Sequence, residues 1–194
     1  MKIAIINDTH WGARSDSQIF LEYFTDFFRE QFFPYLKENN INTVLHLGDL
    51  MDRRKFVNFN TLNTVRSEFM EPLLREGIVV HCILGNHDTF YKNTNDLNSV
   101  NELFGDRYSN FFIYQQPIDL EFDGVKVGMV PWVNSENREK TLEYLKNNTI
   151  DIEELLTINS IFKWFEFDVQ YHDEENRLLY LKHVDNTGPF IEEE

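Results

Sequence analysis

Three short polar clusters bring together residues suited to binding metal or moving protons: Asp8-Thr9-His10, Gly48-Asp49-Leu50-Met51-Asp52 and Gly85-Asn86-His87-Asp88. Asp8 and His10 are two apart, so in an extended segment both side chains leave on the same side and can chelate one ion. Asp49 offers two oxygens, enough to bridge two ions, and Asn86 adds a neutral amide oxygen that limits accumulated negative charge. Imidazole, carboxylate and amide oxygen together suit manganese, iron or zinc better than calcium. Two such ions about 4 Å apart clamp a phosphoryl group and turn bound water into hydroxide. His87 is not needed as a ligand and is free to give a proton to a leaving oxygen, with Asp88 or a nearby carboxylate holding its tautomer. Gly48 and Gly85 allow sharp turns and close backbone approach.

Each cluster follows a segment that reads as a strand. Ile3–Ile6 is a short, wholly apolar run of the kind buried strands show, and Thr43–Leu47 and Ile78–Leu84 read the same way. Between them lie helical patterns: 18–38, with Ile19, Phe20, Tyr23, Phe24, Phe27 and Phe28, stopping near Pro34 or Asn39-Asn40, and 59–75, ended by Gly77. Strand-helix-strand-helix-strand predicts a parallel sheet with right-handed crossovers. In such a sheet ligands bind at the carboxyl ends of the strands, where the three clusters would meet. A hairpin about Asp123-Gly124 is expected next, joining Ile118–Phe122 to Val125–Met129, followed by a helix over 136–147. Beyond Asn148 the pattern gives a short helical stretch (150–157) and a strand pair (162–169 and 177–183) about the turn 173–176. Residues 1–148 are thus expected to form the main domain, with 149–194 packing on it.

The 194 residues carry 18 Lys+Arg against 33 Asp+Glu, a net charge of −15, which excludes a generally basic surface for gripping nucleic acid. Contact with a polyanion must be local, through bound metal or a few cations such as Arg53-Arg54-Lys55. The single Cys, Cys82, excludes an internal disulfide framework and fits a small core residue in a reducing compartment. No signal peptide and no run of about 20 apolar residues is visible, so a cytoplasmic protein without a membrane span is expected. His46 and His81, inside predicted strands, read as packing residues. Trp11 and Phe90 read as pocket walls or, alternatively, as stacking platforms for a base.

Taken in this order and spacing, the three motifs resemble the calcineurin-like metallophosphoesterase family, closest to its SbcD-type nuclease branch, which includes the recombination endonuclease subunit of tailed phages. Arg54-Lys55, Tyr91-Lys92-Asn93 and Val130-Pro131-Trp132 support the resemblance, which covers roughly residues 1–148. It implies an α/β sandwich, a mostly parallel sheet extended by antiparallel strands and flanked by helices. It implies Asp8, His10, Asp49 and Asn86 as ligands of two divalent ions, manganese foremost. His87 is implied as the catalytic acid, with Asp52, Arg54 and Asp88 behind the ligands or against substrate. The activity implied is phosphodiester hydrolysis on DNA in recombination and repair, with an SMC-like ATPase partner of the SbcC type, a possible homodimer, and a host-cytoplasmic location for a phage protein. The family's later Gly-His and Gly-His-x-His motifs have no counterpart. After Gly128 the only glycine is Gly188, and the later histidines, His172 and His183, follow no glycine. The fold is therefore expected to be incomplete and the second metal site weak. Two alternatives follow: a weakly active or inactive binding subunit, and a phosphatase of small phosphoesters.

Overall fold

The computed structural model describes residues 1–148, 167–172 and 178–183. Four parallel strands form one sheet in the order β1 (Ala4–Ile6), β2 (Thr43–His46), β3 (Val79–Ile83), β4 (Phe111–Tyr114). The register pairs Ile6 with His46, His46 with Cys82 and Ile83 with Tyr114, which aligns the carboxyl ends of the strands. The first three are the expected strands. The fourth, and the short helix α3 (Ser99–Phe104) before it, were not anticipated: Phe111–Tyr114 is too short for its period to show.

Both long crossover helices contain a proline in the middle, and both absorb it in the same way. Helix α1 runs Gln18–Phe27, passes through a π-helical turn at Phe28–Phe32 and continues as Phe33–Glu38. Helix α2 repeats this as Phe59–Val65, Arg66–Met70 and Glu71–Arg75. Pro34 and Pro72 lack the N–H that would close an ordinary turn, and the wider turn before each accommodates the loss. Pro34 therefore does not stop α1. The chain turns at Asn40, which takes a left-handed φ of 54°.

Side chains alternate across the parallel sheet and feed two cores. Val44, Val80 and Cys82 meet the helices, where Trp11, Phe28 and Phe69 stack with Leu62 and Val65. Leu45, Leu47 and Ile83 on the other face meet Val127 and Met129 of a second sheet. That sheet has the order β5 (Ile118–Phe122), β6 (Val125–Val130), β8 (Leu178–His183), β7 (Phe167–His172). β5 and β6 form the expected hairpin, β8 runs parallel to β6, and β7 pairs antiparallel with β8. The fold is thus a mixed α/β sandwich of two four-stranded sheets flanked by helices, including α4 (Arg138–Asn147). The expected helix at 150–157, the turn at 173–176 and the start of the first late strand at 162–166 lie outside the described residues. Among those described, no helix is long and apolar enough to cross a membrane.

Phe69 is fully buried, its ring 4.8 Å from that of Phe28 and 6.1 Å from that of Trp11. Phe69→Ala should cost about 3–5 kcal/mol in urea denaturation. Phe59→Ala, at a side chain 85% exposed, should stay within about 0.5 kcal/mol.

Candidate metal and phosphoester site

The loops that follow β1 and β2 are held together by main-chain hydrogen bonds. Asp8 N–H donates to the Gly48 carbonyl at 3.1 Å, His10 to Asp49 at 3.0 Å and Trp11 to Leu50 at 2.9 Å, while Asp52 donates back to Trp11 at 3.0 Å. His46 adds a side-chain tie: Gly48 N–H donates to its Nδ1 at 3.2 Å, and its Nε2 lies 3.0 Å from Thr9 Oγ1. His46 is wholly buried, as expected of a packing residue, and Thr9 is its partner.

The loops after β2 and β3 approach still more closely. A Cβ on Gly48 would lie 2.5 Å from the Gly85 nitrogen, and one on Gly85 would lie 2.1 Å from Asp49 Oδ1. Four main-chain N–H groups converge on the buried carboxylate of Asp88: Asp49 at 2.8 Å and Gly85 at 2.9 Å on Oδ2, Leu50 at 3.0 Å and Met51 at 3.2 Å on Oδ1. Asp88 thus fastens two loops, while the sequence leads one to expect Asp88 or a nearby carboxylate to orient His87. The Asp52 carbonyl does that, accepting from His87 Nδ1 at 2.6 Å.

On this frame three of the four predicted ligands converge. One donor atom from each of Asp8, His10 and Asp49 lies within 4.8 Å of the others. His10 Nε2 is 3.5 Å from Asp8 Oδ1 and 3.7 Å from Asp49 Oδ2, while Asp49 Oδ1 accepts the His87 N–H at 2.7 Å. A second grouping joins His10, Asp52 and His87, with His10 Nδ1 3.6 Å from Asp52 Oδ1 and the two imidazoles edge to face at 4.9 Å. Asn86 is buried and stands in the chain between Gly85 and His87, whose N–H reaches Asp49 Oδ1. Asp8, His10 and Asp49 all take left-handed φ values of 49°, 39° and 51°, strain that side-chain residues adopt where the surroundings impose it. Burial works against a charged His10, but Asp8 together with the charges of Asp49, Asp8 and Asp52 outweighs it and holds the imidazole pKa above its ordinary value.

This donor set fits a divalent cation. Two carboxylates and an imidazole face one another at separations too long for good hydrogen bonds, and His10 Nδ1 is buried with no hydrogen-bond partner. Arg54 stands apart from the cluster: its guanidinium lies over the Trp132 ring, 5.3 Å from the centroid, and Nη1 is 3.4 Å from Thr89 Oγ1. Arg53 is paired with Asp16 at 3.4 Å. Trp11, 1% exposed and stacked on Phe28, belongs to the core and is no base platform. His81 packs against Phe112 and Tyr114, with burial lowering its pKa, and Cys82 is a core residue whose thiol pKa is raised by burial. The side chains of His172 and His183 lie outside the described part.

The profile of the calcineurin-like phosphoesterase family matches residues 1–187. Exonuclease subunit 1 of Enterobacteria phage T4 is 34% identical over 149 residues, covering 77% of this chain and 43% of that protein. The chain therefore spans less than half the length of this curated relative. Among solved structures, a dimetal phosphatase from Danio rerio is similar at a TM-score of 0.41 and 16% identity, covering 79% of this chain and 54% of that one. A protein of unknown function from Aquifex aeolicus is similar at 0.36 and 16%, covering 75% and 73%.

Asp88→Ala would leave four buried N–H groups without their acceptor, at about 1–3 kcal/mol each. The variant should lose at least about 3 kcal/mol in chemical denaturation, and isothermal titration should show weakened manganese binding although no proposed ligand is altered. Unchanged stability would show that the two loops hold together without this carboxylate.

Proposed function

The chain belongs to the calcineurin-like phosphoesterase family, whose chemistry is metal-dependent phosphoester hydrolysis, and from that premise we propose that it cleaves phosphodiesters in DNA as the nuclease subunit of a recombination and repair complex. The observation that carries the reading is the convergence of Asp8, His10 and Asp49 donor atoms within 4.8 Å, with His87 held beside them through the Asp52 carbonyl. Similarity to a phage exonuclease subunit supports DNA as the substrate and a protein partner, here an SMC-like ATPase of the SbcC type. Ile19, Phe20, Tyr23 and Phe27, exposed along α1, support such a protein contact or a homodimer. On this reading residues 149–194 complete the same domain, and the protein works in the host cytoplasm.

Asp8, His10 and Asp49 are the proposed ligands of a first divalent ion, manganese foremost, and Asp49 with Asn86 those of a second. The ions, when bound, supply Lewis-acid polarisation of the phosphoryl oxygens and a hydroxide nucleophile at neutral pH. The protein's own part is positional and protonic. With Nδ1–H donating to the Asp52 carbonyl, His87 keeps Nε2 for proton transfer. As oxygen from water bonds to phosphorus and the ester P–O bond breaks, His87 gives its proton to the leaving oxygen. Asp52 fixes His87 through its carbonyl, and its carboxylate lies 3.6 Å from His10 Nδ1. Arg54 is proposed to meet a phosphate oxygen of the substrate strand.

No Gly-His pair occurs anywhere in the 194 residues, and this favours a weaker second site in the chain taken alone. Calorimetric titration with manganese should resolve one tight site and one clearly weaker one, and DNA cleavage by the purified chain should be slow. Two equally tight sites with brisk cleavage would show that other residues complete the second shell. His87→Ala should lower turnover by about 10²-fold or more with the tight site kept. Loss of metal with activity would make His87 a ligand, and loss of neither would remove it from the mechanism.

A further inference from the structure

Beside the metal cluster a groove of about 170 Å³ opens between the 51–57 loop and the start of α3. Its floor is apolar, formed by Met51, Phe56, Phe90, Leu97 and Leu103. Phe90 and Leu97 are fixed across the loop that follows the third motif: Phe90 N–H donates to the Leu97 carbonyl at 2.8 Å, next to a single antiparallel bridge between Thr89 and Asn98. The groove is contiguous with the site. Met51 is held by the Asp88 carboxylate, and its neighbour Asp52 holds His87.

The rim is cationic. Lys55 Nζ lies 5.1 Å from the centroid of the Phe90 ring, and Arg54 lies over Trp132 and against Thr89. Glu102 is the one acid in the lining; of its three cations Arg53 is paired with Asp16, which leaves Arg54 and Lys55 to face a ligand, in a chain whose net charge is −15. An apolar floor under a positive rim complements a nucleotide, which carries a flat apolar ring between anionic phosphates. An apolar side chain from a protein would fill the floor but offer the cations nothing. A paired duplex keeps its bases stacked, so only an unpaired strand or a frayed end can present one.

We infer that this groove seats an unpaired nucleobase flanking the scissile phosphodiester, with Lys55 and Arg54 on the adjoining phosphates. The inference rests on the DNA-directed reading above and adds the strand form and the residues that recognise it. Phe90 and Leu97 then contribute affinity through the base, and because every base has an apolar face they do so with little regard to sequence.

The test compares equilibrium binding of two short single strands of equal length and charge to the full chain in manganese. One strand is oligothymidylate, the other the fully abasic deoxyribose-phosphate chain. Wild type should bind the intact strand about tenfold more tightly, as expected from base–aromatic stacking. Phe90→Ala removes the stacking face, and Phe90→Leu keeps apolar volume at this half-buried position without offering a flat ring. Both variants should bring the intact-to-abasic ratio close to one, and because any loosening of Lys55 above the altered side chain weakens both strands alike, the ratio is the readout. Equal binding of the two strands by wild type, or a ratio that survives both variants, would overturn the base seat while leaving the DNA reading intact. Failure to bind either strand would overturn the DNA reading and the base seat with it.

Discussion

The site depends on two loops lying closer together than side chains allow. The turns after β2 and β3 touch backbone to backbone at Gly48 and Gly85, and Asp49 Oδ1 occupies the space that a Cβ on Gly85 would take. That approach turns the N–H groups of Asp49, Leu50, Met51 and Gly85 toward one point, where they need an acceptor. Asp88 supplies it with both oxygens. Once the loops are fastened, the His87 amide reaches Asp49 Oδ1 and the His87 ring reaches the Asp52 carbonyl. A carboxylate that touches no reacting atom thus sets where the proposed ligand and the proposed proton donor stand.

The first loop is secured differently, through burial. Asp8 and His10 occupy left-handed conformations that cost roughly 1–3 kcal/mol each, and such strain persists only where surrounding structure imposes it. Trp11 is the anchor: its ring is packed with Phe28 and Phe69, and its backbone bridges Met51. A side chain so fully committed to the core is unavailable to substrate. The aromatic next to the third motif, Phe90, is only half-buried and forms part of the groove instead.

Much of this was legible in the residues, and the exceptions have physical causes. The strands that precede the motifs announce themselves by unbroken apolar runs, and Asp8, His10 and Asp49 by their placement at the ends of those runs. Sequence shows Asp88 adjacent to His87 but cannot show three N–H groups of the loop after β2 converging on it together with that of Gly85. The Asp52 carbonyl was invisible for the same reason, since every residue has one and only the fold selects it. Pro34 suggests a helix stop, as prolines do, but the gain from burying Phe28, Phe32 and Phe33 against the sheet outweighs the cost of one π-helical turn. The basic run Arg53-Arg54-Lys55 reads as a unit, yet the structure divides it. Arg53 is bound to Asp16, which also accepts from Thr61, whereas Arg54 and Lys55 lie over Trp132 and Phe90.

That division bears on how an acidic chain could hold a nucleic-acid strand. Two free cations release few counterions. At a log–log salt slope of about −0.7 per neutralised phosphate for single strands, they give a slope near −1.4 in all, and affinity should fall only about sevenfold between 50 and 200 mM salt. Such an electrostatic contribution is weak beside that of proteins with many phosphate contacts, and the remaining negative charge opposes approach beyond a Debye length of about 10 Å. Binding must then rest on short-range interactions that salt does not screen: the apolar groove beside the site, and cations fixed over aromatic rings so that little side-chain freedom is lost when a phosphate arrives. A salt slope much steeper than this, measured on the chain alone, would mean that more of its basic residues face the strand than Arg54 and Lys55.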